Sequence, residues 1–139
     1  MTAKAILHEA YEARMEINTL MRRRDQYMAM ATGTSGMSET AIRSSEVKSK
    51  VESSAIRLVE ICDRLDRKVA EYAQIIAQAE QLISRIERSK YRQVLSLRYL
   101  EGKSWKAICE IMGYRDEKSA YRIHGWALAE ADAKLKRSV

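Results

Sequence analysis

Between Val51 and Ile86 the apolar residues Val51, Ala55, Leu58, Cys62, Leu65, Val69, Tyr72, Ile76, Ala79, Ile83 and Ile86 recur with steps that alternate 4 and 3 without a fault over five heptads. A period near 3.5 residues puts such positions on one line of a left-handed helical seam, and a strand, with its period of two, cannot do so. The chain has no Pro to break the helix, and its only Gly residues before Gly102 are Gly33 and Gly36. The spacing predicts a helix from about Ser45 to Arg88, ~65 Å long. Ile61, Ile75 and Leu82 flank the seam. The apolar stripe is therefore wider than a two-stranded coiled coil needs, which predicts packing on more than one partner.

One partner is a first helix. Ile6, Ala10, Ala13, Ile17, Leu20 and Tyr27 are spaced 4, 3, 4, 3 and 7, with Arg24 at the skipped place. A turn over Thr32–Glu39, opening on Thr32-Gly33-Thr34-Ser35-Gly36, folds this helix back on the long one. Being shorter, it leaves apolar surface uncovered, which predicts a homo-oligomer, a dimer favoured. Leu58, Leu65, Val69, Tyr72, Ile76 and Ile83 are assigned to the hairpin and oligomer seam. Five of the seven Met residues (15, 21, 28, 30 and 37) fall in or just after the first helix and serve as gap fillers.

From Tyr91 the pattern changes to short helices punctuated by glycine. Val94, Leu95, Leu97, Tyr99 and Leu100 form a first helix that stops at Gly102, a residue able to take a left-handed conformation. Ser104 is placed to cap a second helix, with Trp105, Ile108 and Met112 on one face. Gly113 ends that helix, and Asp116 can cap a third. Ala120, Ile123, Ala127 and Leu128 make its buried stripe; Lys118, Tyr121, Arg122 and Gly125 make the opposite one. A helix that buries one side and points cationic, hydrogen-bonding groups outward suits a DNA major groove. The charge supports this. Residues 1–83 hold 12 basic and 12 acidic residues, whereas residues 84–139 hold 13 and 7, so the whole net charge of +6 lies in the C-terminal part. Localised positive charge draws a phosphate backbone by counterion release.

The stretches Arg98-Tyr99-Leu100-Glu101-Gly102-Lys103-Ser104-Trp105 and Tyr121-Arg122-Ile123-His124-Gly125, with Ala127-Leu128 after them, resemble a family of small proteins encoded by phages and prophages of Gram-positive bacteria. The C-terminal part of that family is similar to region 4 of sigma-70 factors, which reads the promoter −35 element. Its members carry an N-terminal helical hairpin with a polar interruption, which Thr32–Gly36 matches. The resemblance implies a transcription regulator of a phage or mobile element, in the cytoplasm of a bacterial host. It puts base reading on Lys118, Tyr121 and Arg122, and makes RNA polymerase a further candidate partner. Two features depart from the pattern: the turn Gly113-Tyr114-Arg115-Asp116-Glu117 is one residue longer than the usual sigma-type turn, and the outward residues differ from those that read a −35 element.

The expectation is therefore an all-α chain: a long antiparallel, coiled-coil-like helical hairpin over residues 2–89, for dimerisation or partner binding, then a sigma-region-4-like helix-turn-helix over 90–139 that binds double-stranded DNA. Lys118, Tyr121 and Arg122 are assigned to base edges. Arg115, Lys103, Lys106 and Ser119 are assigned to phosphates, with Lys90 and Arg92 as outer candidates. A solvated basic face on a small three-helix unit is the plain alternative reading of these residues. Two other functional classes fit the same features. One is a small-terminase-like DNA-packaging protein. The other is a sigma-like module that binds RNA polymerase or another protein without specific DNA contact.

The remaining features carry less. Arg22-Arg23-Arg24, flanked by Asp25, reads as a solvated helix surface. Cys62 and Cys109 have no metal-ligand spacing with His8 or His124 and read as free thiols. His124 is assigned a structural role and Trp105 a core one; Trp126 lies off the core stripe. No phosphate-cradling glycine loop, no His-x-x-x-His pair and no nucleophile turn is present, so neither an enzyme, a cofactor nor a metal is expected. No apolar run reaches the ~20 residues of a membrane span.

Overall fold

A computed structural model describes residues 1–32 and 44–137. The chain is all-α. Five α-helices are described, and no strand among the described residues: α1 Ala3–Ala31, α2 Ser44–Ser84, α3 Ser89–Leu95, α4 Trp105–Met112 and α5 Glu117–Arg137. Apart from Thr32, the turn expected over Thr32–Glu39 lies outside the described residues. Among the described residues no helix is long and apolar enough to cross a membrane.

The chain divides into two compact units, one of residues 1–15 with 72–139 and one of residues 16–71. In the first, Ala3, Leu7 and Ala10 of α1 share a core with Ala79, Leu82 and Ile83 of α2, Ile86, Tyr91, Leu95, Tyr99, and Ala127 and Ala131 of α5. Leu7, rather than Ile6, takes the fully buried place; Ile6 is half-buried. Alanines line the buried faces of α1 and α5, and their small side chains let the helices approach closely while Leu7, Leu95 and Ile86 fill the space between. Burying a Leu of this kind contributes about 2 kcal/mol. A second cluster, Val94, Ile108, Cys109 and Ala120, holds α4 to α3 and α5, and Ile123 packs against both clusters.

The long helix ends at Ser84, four residues before the expected Arg88, without Gly or Pro. Its last carbonyls are taken by amides of the turn that follows, and side chains of α3 and α5 hold that turn. Ile86 bonds back to the Ile83 carbonyl at 3.1 Å, and the Glu87 amide donates to Glu130 of α5 at 2.9 Å. Arg92 donates to the carbonyls of Ile86 and Glu87 at 2.7 and 2.8 Å.

In the unit of residues 16–71, Ile17 and Leu20 of α1 and Ser54, Ile61 and Leu65 of α2 are buried, and Lys68 reaches Glu16 at 3.5 Å. Of the six residues assigned to the seam, Leu65 and Ile83 are buried, Leu58, Tyr72 and Ile76 are half-buried, and Val69 is 46% exposed. The apolar stripe of α2 carries two interleaved lines that share every seventh residue from Leu58 to Ile86. Between the shared positions, burial favours Ile61 over Cys62 and Lys68 over Val69. The flanking line, set by where α1 lies, is thus the more deeply packed one.

Candidate nucleic-acid interface

The C-terminal helices are punctuated by chemistry the sequence supplies. Ser96–Leu100 continues α3 as a widened π-type turn, in which the Glu101 amide bonds to the Ser96 carbonyl at 3.0 Å. Arg14 of α1 takes the freed Leu100 carbonyl at 3.0 Å. Gly102 follows with φ 70°, a backbone conformation that favours glycine, and the space of its missing Cβ is taken by the terminal methyl of Met15. Ser104 caps α4 by accepting the Ala107 amide at 3.2 Å. Gly113, at φ 75°, ends α4 in the left-handed conformation. Asp116 caps α5: its Oδ1 accepts both the amide and the hydroxyl of Ser119 at 3.1 Å.

These breaks orient α5 so that Ala120, Ala127 and Ala131 are fully buried and Lys118, Tyr121, Arg122 and Gly125 all face outward. Arg115 in the turn, Lys103 before the α4 cap and Lys106 on α4 are exposed as well. Among the described residues no side-chain hydrogen bond or ion pair engages Lys103, Lys106, Arg115, Lys118 or Arg122. Five exposed cations without a side-chain partner among the described residues therefore stand on α4, α5 and the segments that lead into them. Tyr121, 47% exposed, is steadied by the Trp105 ring, edge-on at 5.0 Å, and by its hydroxyl donating to Glu117 at 3.4 Å.

Two assigned or candidate residues, Ser119 and Arg92, sit differently. Ser119 is half-buried and its hydroxyl is engaged by Asp116. Lys90 is exposed, but the guanidinium of Arg92 is spent on the α2–α3 turn. Trp126, 52% exposed, follows Lys118 and Arg122 at eight and four residues, so it extends their line by a turn. That spacing was readable in the sequence.

Behind this face lies an aromatic chain that spacing alone did not disclose. The Arg98 guanidinium stands 5.1 Å from the Tyr11 ring and 4.9 Å from the Trp105 ring, and donates to the Lys103 carbonyl at 3.1 Å. The hydroxyl of Tyr99 and Nε2 of His124 are 2.6 Å apart, with Trp105 edge-on to His124 at 4.9 Å. Burial, then the charges of Lys4 and Arg98, hold the His124 pKa down at about 4. The imidazole is therefore neutral near pH 7 and shares a hydrogen bond with the Tyr99 hydroxyl. Burial pushes the Tyr99 hydroxyl up, partly offset by Arg98. Burial and the nearby Glu117, Asp116 and Glu110 likewise raise the Cys109 thiol, which donates to the Asp116 carbonyl at 3.3 Å. Cys62 and Cys109 are both free thiols. Among the described residues no three His, Cys, Asp or Glu side chains are grouped to hold a metal.

No family model, no curated protein and no solved structure matches the chain.

Proposed function

We propose that the chain is a sequence-specific DNA-binding transcription regulator of a phage or mobile element. In this reading α1 and α2 form the arms of a helical hairpin, α4 and α5 form a helix-turn-helix, and α5 enters the major groove. The observation that carries it is the outward face of α5: Lys118, Tyr121 and Arg122 share one exposed side, backed by fully buried alanines, and among the described residues neither Lys118 nor Arg122 has a side-chain partner. Cations with no such partner on a packed helix can meet an external anion without breaking a bond of their own fold, and each phosphate they neutralise releases counterions. A helix ~10–12 Å across fits a major groove ~12 Å wide. Lys103, Lys106 and Arg115 supply sequence-independent attraction to phosphates, while Lys118, Tyr121 and Arg122 read base edges.

A second copy of the chain is part of this proposal. Ile56 and Val59 of α2 are 63% and 61% exposed, and Val69, further along the same helix, is exposed as well. A dimer that covers them would present two readers to two half-sites and double the DNA surface engaged.

The test is binding of Arg122→Ala to the preferred site and to an unrelated duplex. A bidentate contact to guanine is worth about 1–3 kcal/mol, which would be lost at the site and spared on the unrelated DNA. A variant that binds every sequence as the parent does would remove Arg122 from the reading role.

A further inference from the structure

The three described glycines of the C-terminal helices differ in one respect. Gly102 and Gly113 hold positive φ, and Gly102 also makes room for Met15. Gly125 has neither reason. It lies inside α5, its φ is not positive, and a Cβ added there would meet nothing within 4 Å. Glycine in a helix interior is the least favoured residue after proline, because the unfolded chain loses more freedom there than at any other residue. Nothing inside the protein offsets that cost. Gly125 is exposed, three residues after Arg122, four after Tyr121 and seven after Lys118, at the C-terminal end of the outward stripe, with the exposed Trp126 next to it.

We infer that Gly125 is a notch for DNA: the missing side chain lets the backbone of α5 lie against one wall of the groove while Lys118 and Arg122 reach the bases. This rests on the DNA-reading assignment above. Duplex DNA is the occupant because the same stripe carries Lys118 and Arg122, cations without a side-chain partner among the described residues and complementary to a phosphate-lined groove. The notch sets how deeply α5 seats, and so controls the reach of every other side chain on the stripe.

The inference makes stability and affinity move in opposite directions. Gly125→Ala should raise Tm by about 3 °C, since alanine favours the helix and finds open space. The same change should weaken binding to the selected site by about tenfold, and Gly125→Leu by more, as the added side chain holds the helix off the groove. A residue needed only for folding would move both in the same direction. The experiment is a thermal melt and a binding titration on parent, Gly125→Ala and Gly125→Leu, with Lys118→Ala/Arg122→Ala as the control for abolished reading. If both glycine variants bind as the parent does while melting at or above its Tm, the notch is wrong and the reader assignment stands. If the parent itself selects no DNA, the reader assignment falls and the notch with it.

Discussion

The main-chain amide of Ala3 donates to the carboxylate of Asp132 at 2.8 Å, so a side chain of α5 caps the first turn of α1 across 129 residues of sequence. The start of the chain is thereby built into the unit that holds the candidate reader. Asp132→Ala should cost about 1 kcal/mol, the usual penalty for removing a helix cap. Leu7→Ala, in the same turns and fully buried, should cost about 3 kcal/mol. Urea unfolding followed by tryptophan fluorescence, from Trp105 and Trp126 together, measures both. A Leu7→Ala midpoint equal to the parent's would detach α1 from this core.

Gly102 and Met15 should behave as a coupled pair. Gly102→Ala forces a side chain into positive φ and onto the Met15 methyl, at a cost of about 2 kcal/mol or more. Met15→Ala removes the collision but not the backbone strain. The double variant should therefore be more stable than the sum of the two single effects implies, by about 1 kcal/mol in a double-mutant cycle. Strict additivity would mean that Met15 relaxes away freely.

Stability should fall on mild acidification through His124. In the folded protein the imidazole stays neutral down to about pH 4, whereas in the unfolded chain it takes up a proton near 6.5. Between those values the unfolded state binds more protons, so folding stability is fully present above 6.5 and declines as pH drops toward 4. His124→Gln, which keeps an acceptor for Tyr99 but does not titrate, should flatten this part of the profile. A parent profile already flat from pH 7 to 4.5 would contradict the buried, neutral assignment.

The phosphate candidates should act on salt dependence rather than on sequence choice. Lys103→Ala, Lys106→Ala and Arg115→Ala should each weaken binding to all duplexes alike. Each should reduce the slope of log affinity against log salt by about 0.9, the share of one neutralised phosphate. A variant with an unchanged slope has no phosphate at that position.

Much of the C-terminal organisation was legible because its signals are local. Gly102, Ser104, Gly113 and Asp116 each act on neighbours within a turn, so residue type and position suffice to place α4 and α5 and the outward stripe of α5. The end of α2 at Ser84 was not legible. No breaker marks it, and the groups that stabilise the turn, Arg92 and Glu130, are assembled by tertiary packing. The heptads of α2 contain two lines with common members, and periodicity could not choose between Ile61 and Cys62, since the choice belongs to α1. The aromatic chain from Tyr11 through Arg98 to Trp105 joins residues far apart in sequence, each of which looks ordinary alone. Gly125 could be seen on the outward stripe, but the open space around it belongs to the packing of α5 and has no local signature.

The central claim is that the exposed face of α5 reads DNA sequence. The most direct measurement is selection of bound fragments from sheared phage and bacterial genomic DNA, run in parallel with the Lys118→Ala/Arg122→Ala variant. The parent should give a few sharply enriched intergenic sites, and the variant should lose them. Absence of enrichment, or weak binding that the variant shares and salt abolishes, would contradict it and leave a chain that holds the DNA backbone or another protein.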